Sequence, residues 1–181
     1  DSGLGGLTVV RAIAERLPDE NIVYLGDTAR VPYGTRSPHT VEQYARACAA
    51  RLCEHEIKFL VVACNTVSAV ALGVLRAELA MPVLGVIEPG ARAGAAASGS
   101  KRLGVIATAG TVNSGAYPRA VTQVDPDVAV FMEPAPLLVP LVEEGWLSGE
   151  VPTLVVRRYL APLVARGELL PMTSSVFFSQ I

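Results

Sequence analysis

One stretch constrains this chain more than any other: Lys58–Ala71, KFLVVACNTVSAVA. Phe59–Ala63 reads as a short apolar strand, followed by a thiol at Cys64, two small polar residues, Asn65 and Thr66, and then a helix-like run. In an open α/β sheet, ligands sit in the crevice outside the carboxyl ends of the strands. Cys64 stands where such a strand would end. Asn65 and Thr66 are N-cap candidates, and their helix would turn free backbone N–H groups toward that crevice. A thiol facing the positive end of a helix is expected to ionise more easily than a free cysteine at ~8.5. The competing reading is a small buried hydrophobe, since free cysteine is among the most buried residue types. Position alone leaves both readings standing.

The rest of the chain repeats the same alternation. Thr8–Leu17 predicts an amphipathic helix with Val9, Val10, Ile13, Ala14 and Leu17 on one face. Asn21–Leu25 predicts a strand, and Pro38–Glu56 a helix whose stripe includes Val41, Ala45, Cys48 and Ala49. That stripe makes Cys48, and with it Cys53, a packing residue. Pro82–Ile87 and Lys101–Ala107 predict further strands, with Ala91–Ser100 a helix and linker between them. Val128–Phe131 predicts another strand, and Pro136–Trp146 and Val151–Arg166 two more helices. Strand–helix alternation of this kind predicts mostly parallel sheets wrapped by helices. The strand, small-residue turn and helix at residues 101–117 echo the start of the chain, which suggests two similar α/β units meeting near residues 91–100.

Composition narrows the function classes. The chain has 181 residues and a net charge of −2, so no basic face offers itself to nucleic acid. Only Lys58 and Lys101 could form a Schiff base with a cofactor, and both precede apolar runs as strand-entry residues do. Three cysteines with no CxxC pair fit a reducing compartment, hence the cytoplasm. No apolar run is long enough to span a membrane. His39 and His55 lack an i, i+4 partner for a zinc pair and read as solvated, and no metal site is expected. Asp1 opens directly in a loop-like sequence, so a preceding strand is expected to have been cut away.

Two loops hold polar groups with no evident local use. Asp1–Leu7, DSGLGGL, is a glycine-rich turn that lacks the GxGxxG spacing of a dinucleotide site. A carboxylate at Asp1 and a hydroxyl at Ser2 are what a substrate ammonium or a proton transfer would need. Gly26–Ser37, GDTARVPYGTRS, is long and polar enough to be functional, although a plain surface loop fits too.

Several separated motifs agree with one family. DSGLGGLTV, YLGDTARVPYG, VVACNTVSA, GVIEPG, LGVIATAGTVNSGAY and PLLVPLVEEG occur in order between residues 1 and 145. The chain resembles glutamate racemase, of the cofactor-independent aspartate/glutamate racemase superfamily. The resemblance implies an α/β fold of two pseudo-symmetric domains, here 1–92 and 93–181, with mostly parallel sheets flanked by helices. It implies interconversion of L- and D-glutamate for peptidoglycan, without a cofactor, in a chain that can pair as a homodimer. In such chemistry a proton leaves one face of the α-carbon and another arrives on the opposite face, carried by two thiols.

Carried over residue by residue, the resemblance implies that Cys64 is the first thiol, with Asp1 beside it. Asp27 and Glu143 match auxiliary carboxylates, Glu144 being a rival for the latter. Ser2, Tyr33, Gly34, Asn65, Thr66, Thr108 and Thr111 match substrate-binding positions. The family's second thiol belongs to a GCTH-like segment expected shortly after Arg166. Here the sequence runs GELLPMTSSVFFSQI, with neither cysteine nor histidine. The C-terminal part of the family fold is therefore expected to be missing, and catalysis to be impaired.

Overall fold

In the computed structural model every strand pairing among the described residues is parallel, as the alternation of strand and helix predicts. Residues 1–168 and the strand at 175–178 are described. In chain order the elements are α1 (Leu7–Arg16), α2 (Pro38–Cys53), β1 (Leu60–Val62), α3 (Asn65–Val70), α4 (Leu72–Glu78), β2 (Val83–Gly85) and α5 (Ile87–Ala97). Then come β3 (Arg102–Ala107), α6 (Ala109–Ser114), α7 (Ala116–Val124), β4 (Ala129–Pro134), α8 (Leu138–Glu143), α9 (Glu150–Ala165) and β5 (Ser175–Phe178).

β1 pairs with β2, Leu60 opposite Val83 and Val62 opposite Gly85. The second sheet has the order β4-β3-β5. β3 is buried on both faces, as the central strand of a parallel sheet must be. Leu103 and Val105 pack with Ala91, Ala95 and Val121 on one side, while Ile106 packs with Leu138 and Leu163 on the other. The first sheet has its own core, in which Val41, Ala45 and Ala49 of α2 meet Leu60, Val62, Leu72, Leu75 and Val83. α2 starts where its sequence says it should. Ser37 caps it by accepting from the Thr40 N–H at 3.2 Å, and Pro38 fills the first helical position, where no N–H is needed.

Several expectations need correction. Asn21–Leu25 joins no strand ladder, and Ile22 and Val23 are exposed. Only its end is engaged in a ladder-like way: the Asp1 backbone nitrogen donates to Leu25 O at 2.9 Å, and the Asp27 N–H donates to Asp1 O at 3.0 Å. A strand is defined by its neighbour, and the neighbour's span is not set by local sequence. α1 forms as expected but buries none of its residues; Leu17 is 54% exposed. The helix after Cys64 is two helices, broken at Ala71. The helix after Thr108 breaks at Gly115, whose φ of 64° suits a residue without a side chain. The expected linker shrinks, because α5 runs unbroken through Ala97. The tail, given no element by its sequence, supplies β5 along the free edge of β3.

Candidate active site

Cys64 lies one residue beyond the end of β1, separated from it by Ala63, close to where its sequence position predicts, and is itself the N-cap of α3. This corrects the expected caps. Asn65 and Thr66 occupy the first helical turn, and their side chains reach outward to other elements instead of back to the helix. The Cys64 carbonyl accepts the first helical bond, from Ser68 N–H at 2.9 Å. The residue is 6% exposed and packs in the first core, yet it also lines a cavity of about 40 Å³ with Asp1, Tyr33 and Cys48. The thiol thus combines both readings: buried among hydrocarbon, and facing the two polar groups its motifs pointed to. The cavity is far below the roughly 300–1,000 Å³ of a ligand pocket. It can hold the surroundings of a sulfur atom, not a whole amino acid.

The glycine-rich turn is organised by the Asp1 carboxylate. Its Oδ2 accepts from Gly6 N–H at 2.7 Å and from Gly3 N–H at 3.3 Å, and the Tyr24 hydroxyl, which donates to Gly3 O at 2.6 Å, lies 3.3 Å from it. Close approach is what demands glycine here: a Cβ on Gly6 would lie 2.7 Å from the Asp1 Cβ. Glu143, at the end of α8, crosses to the same turn and accepts from Leu4 N–H at 3.3 Å. Its neighbour Glu144 is exposed. The Tyr24 phenol is shifted up, first by burial and then by the nearby Glu143 and Cys64 charges.

Asp27 is buried in the polar loop and accepts from the Tyr33 hydroxyl, while Arg30 Nε sits 2.6 Å from its Oδ2. The Tyr33 phenol is raised well above its usual range, by burial first and by this bond second. Arg30 also reaches Cys48 Sγ at 3.7 Å and stacks 4.4 Å from the Tyr44 ring centroid. Cys48 is therefore not the simple packing residue its stripe implied. It is half-buried beside Tyr33 and Arg30 and lines the same cavity as Cys64, because it rides one helical row aside from Val41, Ala45 and Ala49. Burial pushes its pKa up, the Asp27 charge adds to this, and the Tyr33 bond and Arg30 oppose it. Cys53 is half-buried and Cys48, Cys53 and Cys64 are all free thiols.

α3, which follows β1 of the first sheet, meets the start of α6, which follows β3, in a seam of small residues. Thr66 Oγ1 and Thr108 Oγ1 are 2.9 Å apart, and Thr108 Oγ1 is 3.1 Å from Thr111 Oγ1. Thr108 caps α6; Thr111 is fully buried and meets the seam only through Thr108. The Gly110 N–H donates to Gly34 O at 3.0 Å, and a Cβ on Gly34 would fall 2.4 Å from the Thr108 Cβ. Next to this seam the buried Tyr117 hydroxyl donates to Asn65 Oδ1 at 2.8 Å. Ser2 is half-buried and lines neither the cavity of Cys64 nor a larger one of about 260 Å³ bordered by Gly34, Thr66 and Gly110.

Arg30, Tyr24, Cys48 and Tyr117 escaped the sequence reading. Arg30 had the one available signal, a cation three residues from Asp27 in a polar loop. His39 and His55 are exposed, and no group of three or more His, Cys, Asp or Glu side chains suited to a metal occurs among the described residues. Both lysines are exposed and ion-paired, Lys58 with Glu20 at 2.7 Å and Lys101 with Asp125. No described helix is long and apolar enough to cross a membrane.

The chain is similar in sequence and in fold to several known proteins. Glutamate racemase of Geobacter metallireducens is 53% identical over 167 residues, and that of Neisseria meningitidis serogroup C (serotype 2a) is 55% identical over 168. Each match covers 92% of this chain and 62% of the relative, so the chain spans less than two thirds of their length. The crystal structure of glutamate racemase from Francisella tularensis in complex with D-glutamate superposes with a TM-score of 0.82 at 40% identity, covering 90% of this chain and 61% of that one. The glutamate racemase of Aquifex pyrophilus gives 0.79 at 43%, covering 99% of this chain and 77% of that one. The α/β fold of parallel strands flanked by helices is thus shared with these enzymes. With the Asp/Glu/Hydantoin racemase family description matching residues 6–161 as well, the chain belongs to that family.

Proposed function

We propose that this chain carries the Cys64 side of a site that racemises glutamate by moving the α-proton, without a cofactor. In this reading residues 1–92 and 93–181 are two similar units, and the substrate lies between them. The carrying observation is that one small cavity joins Cys64 to Asp1 and Tyr33, groups brought together from three separate motifs.

The chemistry follows from what each group can do. The Cys64 thiolate takes the α-proton from one face of glutamate, or its thiol returns one in the reverse direction. Asp1, already held by backbone N–H groups of the glycine turn, sets the charge beside the sulfur and the substrate ammonium. Asp27 holds Tyr33, and Glu143 holds the glycine turn through the Leu4 N–H, each as an auxiliary carboxylate. Ser2, Tyr33, Gly34, Asn65, Thr66, Thr108 and Thr111 form the binding wall, Thr111 acting through Thr108. Binding energy at this wall holds the α-carbon against the sulfur, which a proton so weakly acidic requires. The work belongs in the cytoplasm, where D-glutamate is needed for peptidoglycan.

Inversion needs a second proton carrier on the opposite face. The sequence supplies Cys48, Cys53 and Cys64 only. Cys48 and Cys53 both lie on α2, which packs in the same core as Cys64, so neither comes from the second unit. The chain is therefore expected to exchange the α-proton of one enantiomer with solvent and to form little of the other. The test measures deuterium incorporation at the α-carbon of L- and D-glutamate in D2O, together with D-glutamate formed from L-glutamate. Exchange that disappears in Cys64→Ala supports the assignment. Near-normal racemisation would refute the impairment, and exchange that survives Cys64→Ala would refute the role of the thiol. Titration calorimetry that finds glutamate binding without any exchange would favour a binding remnant instead.

A further inference from the structure

We infer that Tyr117 is a positioning residue for the proposed glutamate site, acting through the side chain of Asn65. This rests on the reading above that Asn65 belongs to the substrate-binding wall.

Tyr117 stands in the first turn of α7 and is 1% exposed, packed in the core of the second sheet with Ile87, Ala91 and Val121. Its hydroxyl crosses to α3 and meets Asn65 Oδ1 at 2.8 Å. The amide oxygen can only accept, so the phenol is the donor in this bond. Burial keeps that phenol in its neutral, donating form, since it pushes the pKa far up. Asn65 itself is 5% exposed and directly follows Cys64.

The amide group is planar, and its oxygen and NH2 lie at opposite corners. Fixing the oxygen on Tyr117 therefore fixes where both N–H donors lie. A rigid ring with two torsions, locked in a packed core, is a better anchor for this than a flexible side chain. The first turn of α3, which begins beside the thiol, is thereby referenced to the second sheet. No short-range sequence signal marks this pair, because 52 residues separate its members.

Tyr117→Phe keeps the ring and removes only the donor. Calorimetric titration with L- and D-glutamate is expected to show binding weakened about three- to tenfold by Tyr117→Phe in the parent chain. In an Asn65→Ala background the same change is expected to have no further effect, because its route is already gone. Equal affinity of Tyr117→Phe and parent, or the same loss in both backgrounds, would overturn the inference. A second readout needs no ligand. The Asn65 side-chain amide signals, identified in 15N spectra by their loss in Asn65→Ala, are expected to shift and to exchange faster with water in Tyr117→Phe. If the parent binds neither enantiomer, the glutamate reading fails while these signals still decide the positioning role; unchanged signals refute it.

Discussion

At the residue scale, the polar loop shows how one buried carboxylate sets the state of its neighbours. Asp27 accepts from Tyr33 and faces Arg30, and it sits where burial raises both the Tyr33 phenol and the Cys48 thiol. The folded chain thus keeps the Tyr33 proton to higher pH than the unfolded chain, whose phenols titrate near ~10. Between those two values the native state binds more protons than the denatured state, so stability falls as pH rises. The contribution is intact below about pH 10 and lost above it. Tyr24, Tyr117 and Cys48 are shifted in the same direction and steepen the decline. Thermal midpoints followed through the alkaline range should drop, and Tyr33→Phe should make the drop shallower by about one proton's worth of slope. An identical slope in both chains would contradict the buried, neutral phenol. Legibility at this scale was uneven. Cys64 could be found because a strand's end marks it, and Asp1 because glycines surround it. Cys48 was misread because helical periodicity reports a face and not its flank. Tyr117 was invisible because its partner lies in another element.

At the element scale, α2, β3 and α9 were legible because their apolar spacing is local information, and the structure keeps their limits within a few residues of expectation. The segment 21–25 was not, because sheet membership depends on who lies alongside. Elements also meet at points that no periodicity encodes. The loop bearing Gly34 touches the N-terminus of α6 so closely that a methyl group on Gly34 would overlap the Thr108 side chain. Gly34→Ala should therefore force the seam apart, with a cost of about 1–3 kcal/mol in denaturant unfolding, typical of overpacking. The Gly110 to Gly34 backbone bond would lengthen with it. Unfolding midpoints unchanged in Gly34→Ala would show that the loop yields freely.

At the scale of the whole molecule, the first sheet is less covered than the second. β1 pairs only with β2 among the described strands, α1 buries nothing, and Leu4, Leu7 and Leu17 are each about half exposed. Open strand edges and apolar patches promote association between chains. The backbone bonds at Asp1 follow the parallel-ladder pattern, nitrogen to Leu25 O and carbonyl to Asp27 N. Sedimentation velocity should show concentration-dependent association, reduced when Leu4, Leu7 and Leu17 are replaced by serine. Unaltered association in that variant would refute this. The seam of Thr66, Thr108, Gly34 and Gly110 carries a different consequence. Where a loop and a helix start touch with no slack for even one carbon atom, whatever shifts the Gly34 loop must also shift Thr108, and through its hydroxyl Thr66, so a disturbance on one side of the contact is handed to the other.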